Sequence, residues 1–152
     1  MLNVREAQPK EVAKVDGFYQ EVGYSGGLNP SDRLVIAVAN NVLLGAHRLC
    51  VEQDILLLRG MRVRQEIQRQ GIGTAMLGFA EKLVAARSCY CIPYRHLSSF
   101  YAQVGFKEIA PDQAPEFLRH RLHQYRRSLH LDVIIMRIDH GSLAASPESG
   151  AR

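Results

Sequence analysis

The sequence predicts an α/β fold (α+β in some schemes), a mixed sheet flanked by helices. Three observations lead there. Hydrophobic spacing switches along the chain between a period of two and a period near 3.6. Three strand-like runs between residues 34 and 63 are joined by short turns, which favours antiparallel pairing. From residue 71 onward, helix-like and strand-like segments alternate, which favours parallel crossovers. A length of 152 residues suits one domain.

Leu2-Asn3-Val4-Arg5 alternates apolar and polar residues as a first strand. Pro9 suits the start of a helix, where its missing N–H costs nothing. Val12, Val15, Phe18 or Tyr19, and Val22 recur at helical spacing up to Gly23. Gly26 to Asp32 is turn chemistry throughout. Leu34 to Ala39 reads as a buried strand, Asn40-Asn41 as a turn, and Val42 to Val51 as the hairpin partner. A second turn around Glu52-Gln53-Asp54 leads into a strand from Ile55 to Val63. Ile72, Met76, Ala80 and Leu83 then mark one face of a helix spanning Gly71 to Arg87. Ser88 to Ile92 is a short strand closed by Pro93, and Ser98 to Val104 a brief helix. Phe106 to Ile109 is a strand, and Leu118, Leu122, Tyr125 and Leu129 line a further helix. Asp132 to Ile138 is the last strand. The segment 141–152 lacks periodicity and is expected to be a disordered tail behind a domain of residues 1–140.

Composition narrows the function classes. Hydrophobic residues make up 47% and charged residues 22%, as in an ordinary soluble globule. No apolar run approaches the roughly 18–20 residues that span a bilayer, and the opening residues lack the apolar core of a signal peptide. Three cysteines, an odd number, favour free thiols in a reducing compartment, so a cytoplasmic location is expected. The net charge of +4 permits an anionic ligand without demanding nucleic acid.

The stretch that carries chemistry is Val63-Arg64-Gln65-Glu66-Ile67-Gln68-Arg69-Gln70-Gly71-Ile72-Gly73-Thr74. It joins a strand to a helix start, where unsatisfied N–H groups and the positive end of the dipole suit an anion. Gly71 and Gly73 let an anion approach the backbone. Taken alone, Gly-x-Gly is equally a structural turn, and both the phosphate-loop and the three-glycine dinucleotide patterns are absent.

The full pattern Gln68-x-x-Gly71-x-Gly73 resembles the (Gln/Arg)-x-x-Gly-x-(Gly/Ala) signature of the GNAT superfamily of N-acetyltransferases. Phe100-Tyr101-Ala102-Gln103-Val104-Gly105-Phe106 is similar to that family's Phe-Tyr-x-x-x-Gly-Phe motif. The element order over residues 2–138 also resembles the family's. The resemblance implies the acyl-CoA N-acyltransferase fold, whose central sheet is splayed. It implies acetyl-CoA as co-substrate, with no metal, its pyrophosphate held by the backbone of Gln68, Arg69, Gln70, Gly71, Ile72, Gly73 and Thr74. The main chain of Met61, Arg62 and Val63 would pair with pantetheine like an added strand. Tyr101 would lie near the thioester sulfur, as candidate general acid. The alternative for Tyr101 is a plain core aromatic.

The implied reaction is transfer of acetyl to a primary amine of a small molecule or peptide, by direct attack in a ternary complex. Some family members carry a basic Glu on the strand matching Ile55–Val63, which here contains no carboxylate. His47, Glu52, Asp54, Glu66 and His96 are nearby candidates, and none is assigned. That gap keeps open a non-catalytic acyl-CoA-binding sensor on the same fold. Strict alternation places Arg59 on the face of Ile55, Leu57, Met61 and Val63. It would there bind a substrate carboxylate or pair with an acid, unless Gly60 marks a bulge. Arg62, Arg64 and Arg69 flank the loop and could draw in an anionic ligand. Where family members have an Asn that contacts the cofactor, this chain has Tyr94. Cys89 and Cys91 read as buried small hydrophobes. The basic set on the late helix, Arg119, His120, Arg121, His123, Arg126 and Arg127, reads as a solvated face rather than a nucleic-acid surface, because no aromatics interleave with it. A homodimer is compatible with the family, and no sequence feature adds to that.

Overall fold

The computed structural model describes residues 1–68, 70–84 and 87–139. They fall into two compact units, residues 1–83 and those from 84 onward.

The first unit runs β1 (Asn3–Glu6), α1 (Val12–Glu21), β2 (Arg33–Ala39), β3 (Val42–Glu52), β4 (Ile55–Val63) and α2 (Ile72–Leu83). β1 pairs with β2, β2 with β3 and β3 with β4, each pair antiparallel. Both tight hairpins turn on two consecutive left-handed residues. Asn40 and Asn41 have φ of 52° and 63°, and Gln53 and Asp54 have 51° and 64°. Such turns carry the twist that antiparallel strands need. Pro9 opens a 3-10 turn, Pro9–Glu11, just before α1. There the Glu11 carboxylate accepts from Arg5 at 2.8 Å and from the Gln8 N–H at 2.8 Å. These bonds, Arg5 foremost, hold it down at about 2.

The two helices cover opposite faces of this sheet. α1 buries Val15, Phe18 and Tyr19 against Leu34, Ile36, Leu43 and Ala46. α2 buries Ile72 and Met76 against Ala37, with Leu44, Met61 and Val63 packed around them. Ile36 and Ala37 are successive strand residues and so point to opposite sides. A ten-residue helix is marginal alone, and each buried apolar side chain contributes roughly 1.5–3 kcal/mol. Packing therefore decides that α1 forms. Val12, expected on its buried face, is the first helical residue and is exposed.

Register breaks once between β3 and β4. Ala46 pairs with Arg62 and Arg48 with Arg59, so His47 faces both Gly60 and Met61. Gly60 is the extra residue, with φ at +65°. This bulge corrects the strict alternation expected of the strand. Met61 and Val63 pack on the α2 side, whereas Gly60 and Arg62 lie against Tyr24 on the α1 side.

The second unit contains β5 (Ser88–Cys91), α3 (Ser98–Ala102), β6 (Lys107–Glu108), α4 (Glu116–Ser128) and β7 (Met136–Asp139). β7 pairs antiparallel with both β5 and β6. The last strand was expected from Asp132 but starts at Met136, although Val133, Ile134 and Ile135 are buried. Val133 still bridges Tyr94 in the antiparallel register of β5 and β7, flanked by Ile134 N–H donating to Pro93 O at 3.0 Å and Arg95 N–H to Asp132 O at 2.8 Å, while Val133 O accepts from Arg126 at 2.8 Å. The apolar run is buried throughout, but its ladder is continuous only from Met136. α2 ends at Leu83 instead of Arg87. The expected tail of 141–152 lies outside the described residues, as does Arg69. Among the described residues, no helix is long and apolar enough to cross a membrane.

Candidate functional site

Past Val63 the chain makes a 3-10 turn, Gln65–Ile67, before reaching α2. Arg64 N–H donates back to Leu44 O of β3 at 2.9 Å. Strand alternation then turns the Val63 carbonyl away from β3. Gln68 Nε2 donates to that carbonyl at 3.1 Å. The side chain of Gln68 therefore fastens the loop to the end of β4. Gly71 is exposed with φ at +81°, and a Cβ there would meet no atom within 4 Å. Its carbonyl accepts the first helical bond, from Ala75 N–H at 3.0 Å. The N–H groups of Ile72, Gly73 and Thr74 precede that bond and have no partner within the helix. Ile72 is buried and anchors the turn, while Gly73 is half-buried and Thr74 is exposed. The result is an exposed backbone cradle at the positive end of a 12-residue helix. Gln70 is exposed beside it.

On the α1 side of β4 lies a polar cluster that no local sequence pattern assembles. Tyr19 Oη donates to the Gly60 carbonyl at 2.9 Å. Burial drives the Tyr19 pKa up, so it stays a neutral phenol. Arg48 Nε and Asp32 form a pair at 2.8 Å with side chains only 4% and 2% exposed. Arg48 Nη1 also donates to Tyr24 Oη at 2.6 Å. Burial opposes charge on Arg48, but Asp32 and Tyr24 outweigh it and raise its pKa. The nearby Cys50 thiol is pushed up to about 12, chiefly by burial.

The arginines behave differently from expectation. Arg59 pairs with Glu52 at 3.0 Å, so the acid-paired alternative holds. Arg62 stacks over the Tyr24 ring at 5.1 Å, and Arg64 over the Phe18 ring at 5.1 Å with an ion pair to Glu21 at 2.9 Å. Both side chains thus sit on the α1 side and not at the mouth of α2. The bulge is the reason for Arg62.

Of the base candidates, His47 is fully buried beside the Met76 backbone. Burial pushes its pKa down to about 4, so it is neutral at pH 7. Glu52 is engaged by Arg59, Asp54 sits in the hairpin turn and Glu66 is exposed in the 3-10 turn. His96 is exposed and stacked on Tyr94 at 5.7 Å. Within the second unit, Tyr101 is buried on α3, edge-on to Phe100 at 5.0 Å and to Phe106 at 6.0 Å. Cys50, Cys89 and Cys91 are all buried thiols, and burial drives Cys91 well above the ordinary thiol range. Among the described residues, no group of three or more His, Cys, Asp or Glu could hold a metal.

The family model described as the acetyltransferase (GNAT) domain matches residues 30–108, a span that includes both motifs. The chain belongs to the GNAT acetyltransferases. No curated protein sequence matches it. Solved structures with the GNAT fold do. N-acetylglutamate synthase from Neisseria gonorrhoeae, solved with coenzyme A and N-acetyl-glutamate, is 16% identical at a TM-score of 0.67. The match covers 91% of this chain but 35% of that one, so the chain spans about a third of the synthase. The ribosomal-protein-S18-alanine N-acetyltransferase of Escherichia coli is 15% identical at 0.66, covering 91% of this chain and 94% of that one. Escherichia coli ElaA is 12% identical at 0.69, with 91% and 100% covered. At such identities the likeness concerns the fold. The α/β architecture expected from the sequence is the GNAT acyltransferase fold.

Proposed function

We propose that residues 1–140 form an N-acetyltransferase domain that moves acetyl from acetyl-coenzyme A to a primary amine of a small molecule or peptide. The observation that carries this is the cradle at α2, with Gln68 fastened to Val63 and open space at a left-handed Gly71, in a GNAT chain. Backbone N–H groups from Gln68 to Thr74 would hold the pyrophosphate, a charge that suits a helix N-terminus. The main chain of Met61, Arg62 and Val63 would align the pantetheine arm by strand-like pairing. Coenzyme A is present in the solved synthase from Neisseria gonorrhoeae, and amine acetylation is in the name of the Escherichia coli alanine acetyltransferase.

In this reading the neutral amine attacks the thioester carbonyl, and a C–N bond forms as the carbonyl oxygen takes up negative charge. Backbone N–H groups of β4 stabilise that oxyanion. Its collapse breaks the C–S bond, and the thiolate takes a proton from the Tyr101 phenol, which regains one from water. The ammonium proton leaves to water. Calorimetry with coenzyme A, followed by thiol release from acetyl-coenzyme A across an amine panel, tests the proposal. Absence of coenzyme A binding at millimolar concentration overturns it.

One observation favours a second reading, a non-catalytic acyl-coenzyme A sensor: His47 is sealed in the core and Glu52 is tied to Arg59. Tyr101→Phe separates the two. Turnover that falls at least tenfold while coenzyme A affinity holds supports the enzyme, and no turnover in either protein supports the sensor.

A further inference from the structure

The α1 face of the first unit presents four guanidinium groups around Phe18, Tyr19 and Tyr24. Arg48 is matched by Asp32, Arg59 by Glu52 and Arg64 by Glu21. Arg62 is the one left over. Among the described residues it has no carboxylate at ion-pair distance, and its one hydrogen bond runs from Nη1 to the carbonyl of its neighbour Met61 at 3.1 Å. It is half-buried and lies over the Tyr24 ring, 5.1 Å from the centroid. That ring is itself fixed, because Tyr24 Oη accepts from the buried Arg48 at 2.6 Å and the ring packs on Tyr19 at 4.5 Å. The patch therefore carries one uncompensated positive charge on a preorganised guanidinium. A partly desolvated cation without a counter-charge is costly to keep, and an incoming anion relieves that cost.

We infer that Arg62 anchors the acid group of the acceptor, so that the substrate is a small amine carrying a carboxylate. This rests on the acetyltransferase reading above. The Gly60 bulge puts Arg62 on the face opposite α2. One strand segment thus offers its backbone to the acyl donor and this side chain to the acceptor. A single positive charge matches a monoanion, and the planar guanidinium fork matches the two oxygens of a carboxylate. Arg59, the more obvious candidate from sequence, cannot do this while it is paired with Glu52.

The test compares L-amino acids with the amines left when their carboxylate is removed: L-leucine with isoamylamine, L-lysine with cadaverine, L-phenylalanine with phenethylamine. Wild-type kcat/KM should favour the acid-bearing member of a pair at least tenfold. In Arg62→Gln that ratio should collapse toward one, and Arg62→Lys should restore part of it. Calorimetry supplies a readout apart from turnover. In the presence of coenzyme A, the N-acetyl amino acid should bind at least tenfold tighter than the N-acetyl amine, and Arg62→Gln should erase the difference. A wild-type preference near one in the binding assay, or an equal loss for both members in Arg62→Gln, overturns the inference. Failure of the underlying acetyltransferase reading looks different: coenzyme A does not bind, or no thiol is released, whatever the acid preference in binding.

Discussion

His47 places its imidazole in the core away from water, so protonating it in the folded state is expensive. Its folded pKa of about 4 lies below the ordinary 6.5. The unfolded chain binds the extra proton first, so stability is fully present above pH 6.5 and is lost as pH falls toward 4. The loss is on the order of 3 kcal/mol over that window. Urea titrations should show it in the wild type and not in His47→Leu. Tyr19 acts through one bond. Tyr19→Phe leaves the Gly60 carbonyl without its donor and should cost about 1–3 kcal/mol in urea unfolding, with no change in the pH dependence that belongs to His47. Asp32→Ala strands the buried Arg48 and should be worse, about 3–5 kcal/mol.

Among the elements, β4 and its following loop do most to build the candidate site. At Gly60 any side chain meets two obstacles, a left-handed φ and a Cβ at 3.0 Å from Tyr19 Oη and from the Tyr24 ring. Gly60→Val should therefore destabilise by more than about 2 kcal/mol, with strain and overpacking both contributing. Gly71 is the contrasting case, because there the conformation is strained for a side chain but the space is open. Gly71→Ala should cost only about 1 kcal/mol of stability while lowering coenzyme A affinity at least tenfold by calorimetry, since the methyl group would project toward the proposed phosphate cradle. A loss of stability with unchanged affinity would argue against the cradle. In α4, Arg119 donates to Ala114 O at 2.7 Å, Arg126 to Val133 O, and Arg121 lies over Phe117 at 5.6 Å. Much of that basic helix is thus spent on local contacts, consistent with a solvated face.

For the molecule as a whole, a ligand that binds only the folded chain must stabilise it. Coenzyme A at about 100 times its Kd should add roughly 2.7 kcal/mol, seen as a rise in Tm that dephospho-pantetheine fragments fail to match. Much of the fold was legible beforehand. Strand and helix periods, the Asn40-Asn41 turn and the Gln68–Gly73 pattern are local properties, and local chemistry determines them. The structure decided what depends on contacts between distant residues. Tyr24, Asp32 and Arg48 meet only after β2 and β3 pair. Arg62 changes sides only because one extra residue enters β4 opposite His47. The glycine at 60 hinted at that bulge, but no sequence pattern says which residue a bulge turns, or which arginine is left without its acid. Side-chain identity is written in the chain, whereas the pairing of charges is fixed by register, and register is settled by packing on both faces of the sheet.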